Sequence, residues 1–353
     1  MIPYWLLFGL FALGALLARP DFRRDKPVGS LWIGVFVLTL MIGLRYRTGV
    51  DWLNYYRQWV SAAGTTLPQL IQDHGGDSAF YTLMWALSRL GLGYWSLNLV
   101  CGTVFTLGLT AFARRLPNPW LAVAVAIPYL GIVIAMSGTR QATAIGFVFF
   151  ALVAFMEKRT RAFIAWTLVA SLFHASAILT LPLAGLSFAR NRFQAILWLS
   201  AIVLVGFVFL GAPFATYTLH YFTETLQSSG TIYRIAINLL ASLLYLLLIA
   251  RRADIPDHER ALWRNFALAA LAAIPLLPLV PSSTSLDRLM LYLTPLQIFA
   301  LTMLPYTALR GTSPAVIILP ILAYLAAILF VFLNFAVNAE FFIPYRMYLW
   351  NAG

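Results

Sequence analysis

Charged side chains make up only 10% of this chain, yet one short stretch gathers three of them. The first half of GLRYRTGVDWLNYYRQW, residues 43–59, follows an apolar run and holds Arg45, Arg47 and Asp51 within seven residues. Arginine is the side chain best suited to bidentate contact with phosphate or carboxylate groups. We therefore predict that Arg45 and Arg47 bind an anionic ligand.

The same stretch also has the pattern of a helix start. Thr48 and Asp51 fit the spacing of a capping box, with Thr48 as the cap and Asp51 in the first turn. A helix from position 50 places Asp51 and Tyr55 on one polar, aromatic face of the kind that holds sugars. Capping and ligand binding are compatible at this position.

A second candidate is SGTRQ, residues 137–141, between two apolar runs. Arg140 would begin the following helix, with Gln141 beside it. The guanidinium group and the backbone N–H groups of the helix start could then face one phosphate. The competing interpretation is an arginine whose charged end reaches the membrane surface.

A third candidate is His174 in SLFHASA, the one histidine flanked by apolar runs on both sides. An ionisable side chain within membrane segments is a functional candidate, and imidazole can act as a general base near neutral pH. His74, His220 and His258 lie in polar connections without metal-ligand spacing, so we predict no metal site.

A fourth candidate is SSTSLDRLMLYL, residues 282–293, where Asp287 and Arg288 stand at a helix start and Tyr292 follows one turn later. The aromatic and basic tail FFIPYRMYLW, residues 341–350, adds Arg346. For this tail, docking on the membrane surface is an equally good interpretation.

Composition identifies the scaffold that must position these groups. The 353 residues are 61% hydrophobic, with a mean hydropathy of +0.83, and apolar runs follow one another with short charged connections between them. This pattern predicts an all-α polytopic membrane protein and excludes the alternating segments of a β-barrel. Cys101 is the single cysteine, so no intramolecular disulfide can form.

We predict one transmembrane domain, residues 1–353, with about twelve transmembrane helices, some of them short or broken, and an outer-face cavity. The first segment is expected to be retained rather than cleaved. Three outer regions are expected: a loop with an interfacial helix at 45–78, a loop at 212–233 and a C-terminal tail at 336–353. The predicted spans are 2–18, 28–44, 94–113, 119–135, 141–156, 162–173, 176–188, 194–211, 234–250, 261–280, 289–304 and 315–335.

Basic residues orient these spans. With the connection 19–26 placed in the cytoplasm, sixteen of the 24 Lys and Arg residues fall on the inner side, as the positive-inside rule requires. The net charge of +12 therefore needs no nucleic-acid partner. The remaining eight are all arginines on the outer side, where the rule disfavours them, and they predict an outer anionic ligand. They are Arg45, Arg47, Arg57, Arg89, Arg140, Arg234, Arg288 and Arg346.

Five motifs together resemble a known family. GLRYRTGVDWLNYY, TRQATA at a helix start, LFHASAILTLP, SLDRLMLYL and FFIPYR occur in this order over residues 31–346. The chain is in this respect similar to the EpsG family of Wzy-type polysaccharide polymerases. It departs from the family in residues 61–78, where a glutamate is expected before the next helix and Asp73, His74 and Asp77 stand instead.

The resemblance implies glycosyl transfer at the outer, periplasmic face of a bacterial plasma membrane. Repeat units carried on undecaprenyl diphosphate would be the substrates, with no cofactor, metal or nucleotide sugar. A chain-length regulator and a flippase are candidate partners. Arg140 and Arg288, with Arg47, would stabilise the leaving diphosphate, and His174 or Asp51 would act as the base. The predicted substrate-binding residues are Arg45, Arg47, Tyr55, Gln141, Asp287, Tyr292 and Arg346.

Three other functions remain open at this stage. An oligosaccharide ligase would use the same lipid-diphosphate donor with a different acceptor. A lipid-linked glycan flippase or transporter would share the cationic cavity, but the chain shows no convincing internal repeat. A membrane acyltransferase would need a buried histidine, although the outer arginines disfavour an inward-facing site.

Overall fold

Helices form the whole regular structure of the computed structural model, which describes residues 1–23, 26–74, 76–189, 191–217, 231–277, 283–307 and 313–351. The α-helices are α1 Ile2–Leu17, α2 Leu31–Gly43, α3 Trp52–Gly64, α4 Leu67–His74, α5 Ser78–Arg89, α6 Trp95–Ala113, α7 Pro119–Ala126, α8 Thr139–Met156, α9 Thr160–Phe173, α10 Thr180–Gly185, α11 Arg192–Tyr217, α12 Thr231–Leu244, α13 Asp257–Leu276, α14 Ser283–Met290, α15 Thr294–Thr307, α16 Ala315–Phe335 and α17 Tyr348–Asn351.

Several α-helices continue in another helical form. Helix α7 runs into a π-helix at Ile127–Ile134, and α12 into another at Tyr245–Ile249. Short 3-10 helices occupy Ala175–Leu179, Leu186–Phe188, Leu291–Leu293 and Val337–Phe341.

The predicted all-helical membrane class is confirmed, whereas twelve spans and the outer-face cavity stay predictions. Among the described residues, four helices are long and apolar enough to cross a membrane: Trp95–Ala113, Thr139–Met156, Leu286–Thr307 and Ala315–Phe335. Seven further apolar helices are shorter: Ile2–Leu17, Leu31–Gly43, Pro119–Ile134, Thr160–Phe173, Ala175–Phe188, Arg192–Val205 and Tyr233–Ile249.

Some helix boundaries differ from the predicted spans. Helix α8 begins at Thr139 rather than 141, so that Arg140 lies inside its first turn. Helix α13 begins at Asp257, because Asp257 and Glu259 favour the positive N-terminal end of a helix. In the predicted connection 212–233, α11 continues to Tyr217 and α12 begins at Thr231, and residues 218–230 lie outside the described residues.

The chain divides into two compact units. The first comprises Met1–Val153, Leu168–Ala175 and Ser313–Gly353. Within it the backbones of α6 and α8 are in close contact at Gly108 and Gly146. A Cβ atom at Gly108 would lie only 2.1 Å from the carbonyl oxygen of Gly146, so only glycine fits there. Small residues allow such backbone contact between membrane helices. Helix α16 exposes Val316, Leu319 and other large apolar side chains, as expected of a helix that faces lipid.

The second unit comprises Ala154–Thr167 and Ser176–Thr312. Its core includes the stacked rings of Trp263 and Phe299, whose centroids are 4.5 Å apart. Buried amides connect its helices: Asn238 donates a hydrogen bond to the carbonyl oxygen of Met290 at 3.2 Å, and Asn265 donates to that of Leu183 at 3.1 Å. These bonds satisfy polar groups that would be costly to bury alone.

Candidate functional site

The connection between α2 and α3 lies in the first unit and carries two arginines in opposite environments. Arg45 is 1% exposed. Its guanidinium group donates to the hydroxyl of Thr139 at 2.7 Å and to the carbonyl oxygen of Ile42. Arg47 is exposed, has a positive φ of 48° and places its guanidinium carbon 5.4 Å from the ring centroid of Tyr46. Of this pair, only Arg47 is open to solvent.

The predicted cap of the next helix is wrong. Helix α3 begins at Trp52 with Asp51 at the N-cap position, and the hydroxyl of Thr48 donates to the carbonyl oxygen of Tyr46 instead. The hydroxyl of Ser137 accepts from the backbone N–H of Asp51 at 3.3 Å and lies 3.4 Å from its carboxylate. Thr48 cannot cap because Gly49, with a φ of +101°, turns the chain between it and the helix.

Arg140 is the centre of the candidate site. Its Nη1 donates to Asp77 Oδ2 at 2.9 Å and to the hydroxyl of Tyr81 at 3.1 Å, while Nε donates to the hydroxyl of Tyr55 at 3.3 Å. The guanidinium carbon lies 5.6 Å and 5.8 Å from the Tyr55 and Tyr81 ring centroids. In the described part of the chain Nη2 forms no hydrogen bond, and 28% of the side chain is exposed. Arg140 is thus held firmly along one edge.

Asp77 connects Arg140 to His174. Its second carboxylate oxygen, Oδ1, accepts from the backbone N–H of Ala175 at 3.1 Å and lies 3.8 Å from Nδ1 of His174. The latter distance exceeds a hydrogen bond but allows ionic attraction once the imidazole is protonated. His174 directly follows α9, and Asp77 directly precedes α5. One carboxylate therefore faces a permanent cation and a titratable group.

The two tyrosines that accept from Arg140 keep their own protons. Burial raises the pKa of Tyr55 and of Tyr81, and the positive charge of Arg140 opposes this rise without cancelling it. Both rings lie outside the membrane-spanning helices, on α3 and α5. At neutral pH each hydroxyl can accept from Arg140 and also donate to a third group.

The remaining predicted residues make none of the contacts just described. Gln141 is next to Arg140 and largely buried. Arg346 is exposed, and its carbonyl oxygen accepts from the backbone N–H of Tyr46 at 2.9 Å. Asp287, Arg288 and Tyr292 belong to the second unit, where Asp287 forms a buried ion pair with Arg234, Arg288 is exposed and Tyr292 is buried.

Asp77 and Tyr81 are central to the site but were absent from the predicted set. The only sequence signal for Asp77 was its place in the acidic loop that departs from the family pattern. Tyr81 gave none, because one tyrosine in an aromatic-rich helix carries no information on its partner. Among the described residues no group of three or more His, Cys, Asp or Glu side chains could hold a metal ion.

Comparison with known proteins identifies a family. The model of a protein family described as the EpsG family matches residues 30–347, which is nearly the whole chain and includes every residue of the Arg140 cluster. No curated protein matches the chain. No solved structure matches it.

Proposed function

Because the chain belongs to the EpsG family, a family of membrane proteins of the polysaccharide-polymerase type, we propose that it joins undecaprenyl-diphosphate-linked repeat units by glycosyl transfer. The reaction takes place at the outer face of the bacterial plasma membrane, in a cavity surrounded by about twelve membrane crossings. The lipid diphosphate is the substrate carrier, and the chemistry needs neither a metal nor another cofactor. A flippase and a chain-length regulator are the proposed partners.

The cluster around Arg140 is the observation that carries this proposal. A diphosphate gains negative charge as the bond to the sugar breaks, and a cation fixed in advance lowers the barrier to that step. Asp77, Tyr55 and Tyr81 hold Nε and Nη1 of Arg140, which leaves Nη2 for a phosphate oxygen. Arg47, exposed in the same unit, is the second proposed contact for the diphosphate.

His174 is the proposed general base. Its Nδ1 faces Asp77, so Nε2 on the opposite edge of the ring takes the proton from the acceptor sugar hydroxyl. The hydroxyl oxygen then forms a bond to the anomeric carbon, and the electron pair of the broken C–O bond goes to the leaving diphosphate. Asp77 stabilises the imidazolium that results. Asp51 is a less favourable base because Ser137 already contacts its carboxylate.

The test of the arginine is glycan analysis in a strain that lacks the chromosomal copy and expresses a variant. Arg140→Lys keeps the charge but loses the planar fork, so long-chain polymer should fall about 10²- to 10³-fold while the protein stays in the membrane at normal abundance. Arg19→Lys, at an exposed position in the connection 19–26 that is predicted to be cytoplasmic, is the control and should polymerise normally. Normal polymer from Arg140→Ala would remove Arg140 from the site.

The same strain tests the reaction type and the base. Single repeat units on the lipid carrier after deletion support a polymerase, whereas full-length chains on the carrier would identify a ligase instead. His174→Gln should lower polymer about 10²- to 10⁴-fold, since a general base contributes an acceleration of this size. An unchanged ladder of chain lengths would give His174 a purely structural role.

A further inference from the structure

We propose that Arg45 is a positioning residue, which fixes the first turn of α8 through Thr139 and thereby sets the direction in which Arg140 enters the site. The expected loss of activity rests on the proposed function. The positioning itself rests on contacts within the first unit. It differs from the sequence-based prediction that Arg45 binds substrate.

Burial is the first argument. Arg45 is among the largest fully buried side chains of the protein, whereas 28% of the Arg140 side chain is exposed. A buried guanidinium group acts through the protein groups to which it donates, and in Arg45 these bonds come from Nη1 and Nη2, while Nε has no partner among the described residues. Those groups are the carbonyl oxygen of Ile42 at the end of α2 and the hydroxyl of Thr139 at the start of α8. Arg45 therefore joins two helix ends.

Thr139 is the second argument, because it immediately precedes Arg140. Its carbonyl oxygen accepts from the hydroxyl of Thr143 at 2.8 Å, and its backbone N–H donates to the carbonyl oxygen of Ser137 at 2.9 Å. With the Arg45 contact, both backbone polar groups and the side chain of Thr139 are engaged. A residue held in this way limits the orientation of the peptide that carries Arg140.

Two more contacts hold the connection 44–51 against the residues that directly precede α8. A Cβ atom on Gly49 would lie 1.9 Å from the carbonyl oxygen of Met136, so the backbones touch at this point. Asp51 and Ser137 contact each other through backbone and side chain. Of the two charged side chains among these attachments, Arg45 makes the shorter bond, 2.7 Å to Thr139 compared with 3.4 Å between Asp51 and Ser137. A charge-assisted hydrogen bond is about twice as strong as a neutral one.

The C-terminal tail fixes Arg45 from the other side. Arg45 and Met347 form an isolated antiparallel bridge. The backbone N–H of Tyr46 donates to the carbonyl oxygen of Arg346 at 2.9 Å, and that of Tyr348 donates to Leu44 at 2.8 Å. These bonds hold the backbone of Arg45 while its side chain holds Thr139. The residue is therefore constrained at both ends, as a positioning role requires.

The test is a double-mutant cycle on polymer yield. Arg45→Gln and Thr139→Val should each lower the yield about 10- to 100-fold, because a misplacement of about 1 Å in a catalytic group can cost up to 10²-fold. The double variant should be no worse than the poorer single variant, since both remove the same contact. Thr139→Ser keeps the hydroxyl and should restore activity. Effects that multiply in the double variant would overturn the proposal.

A matched control separates this effect from the loss of any buried hydroxyl. Thr110→Val removes a buried threonine hydroxyl from α6, which bonds only to its own helix at Thr106. This variant should polymerise normally. A loss equal to that of Thr139→Val would show that the yield follows stability, and it would overturn the positioning role.

A second readout needs no activity. In the purified full-length protein in lipid nanodiscs, amide hydrogen exchange over residues 137–143 should rise in Arg45→Gln and in Thr139→Val but stay unchanged in Thr110→Val. Unchanged exchange in the first two would overturn the inference. If deletion of the gene leaves the polymer intact while exchange rises as expected, the proposed function fails and the positioning contact stands.

Discussion

Each unit of this protein holds an arginine–aspartate ion pair with a buried carboxylate, and the two pairs differ in what surrounds them. Arg140 and Asp77, in the first unit, have side chains that are 28% and 10% exposed, and their partners are two tyrosine hydroxyls and a histidine. Arg234 and Asp287, in the second unit, are 15% and 6% exposed and join α12 to α14.

The surroundings indicate a different role for each ion pair. Next to the second pair, Asn238 donates to the carbonyl oxygen of Met290, so that charge and amide together fasten two helices. In the first pair the carboxylate faces a titratable imidazole and the guanidinium group has a solvent-exposed edge. A buried ion pair is weak evidence for function on its own, and it is the second titratable partner that distinguishes a reactive site.

The largest expected effect comes from Asp77→Asn. The amide oxygen can still accept from the N–H of Ala175, but the charge that stabilises Arg140 and a protonated His174 is lost. Polymer yield should fall about 10²- to 10⁴-fold at normal protein abundance, which glycan gels and membrane immunoblots measure. Asp73→Asn, at an exposed position on α4, is the control and should have no effect. A normal distribution of polymer chain lengths in Asp77→Asn would show that the Arg140–Asp77 pair is no more important for activity than an ordinary structural ion pair.

The second pair should instead respond in stability. Asp287→Asn leaves the buried Arg234 without its charge partner, and removing one member of such a pair costs about 3 to 5 kcal/mol. Thermal unfolding in nanodiscs measures this loss.

Replacing both members of that pair sharpens the contrast. Arg234→Met combined with Asp287→Leu should recover the stability and the polymer, because apolar residues of similar volume fill the space. A stable but inactive double variant would give Asp287 the substrate-binding role that the sequence predicts.

A smaller effect is expected from the tyrosines around Arg140. Tyr55→Phe and Tyr81→Phe each remove one acceptor of the guanidinium group, and a single hydrogen bond contributes about 0.5 to 1.5 kcal/mol. Each change should lower polymerisation about 2- to 10-fold. Tyr56→Phe, on the same helix as Tyr55 but partly exposed and stacked on Trp52, is the control. Equal loss in all three would mean that the site does not depend on these hydroxyls.

The smallest effect is a dependence of stability on alkaline pH. Burial raises the pKa of Tyr55 and Tyr81 in the folded protein, so the folded state favours the neutral rings. Their contribution is constant below about pH 10, where unfolded tyrosine begins to ionise, and is lost as the pH rises further. The unfolding temperature should therefore stay level from pH 7 to 9 and then fall, less steeply in Tyr55→Phe. An equal slope in that variant would contradict the assignment.

The sequence predicted the helical membrane scaffold and three residues of the Arg140 cluster. Apolar runs and basic connections identified a helical membrane protein, and the motifs around Arg45, Arg140 and His174 identified the family. Tyr55, Arg140 and His174 do belong to one cluster, although they are far apart in the chain. Charge and spacing predicted these residues because polar groups stand out in an apolar chain.

Other features were not accessible from the sequence. The charge pattern predicts the same role for Arg45 and Arg47, yet Arg45 is buried and Arg47 is exposed. The partner of the buried guanidinium group is Thr139, 94 positions further along the chain, and the local sequence does not reveal it. Asp77 was missed for the same reason, since its partners Arg140 and Ala175 are 63 and 98 positions away. The sequence predicts Thr48 as the N-cap of α3, but the chain turns at Gly49 and Asp51 occupies the N-cap position instead.

The contact between the tail and the first helices also constrains how the protein is made. Tyr4 donates a hydrogen bond to the carbonyl oxygen of Phe342, 338 positions later, and the backbone of Arg45 pairs with Met347. During synthesis the early helices enter the membrane long before residues 341–348 leave the ribosome. The backbone contacts that hold Arg45 are therefore completed last, and a nascent chain that stops short of these residues lacks them.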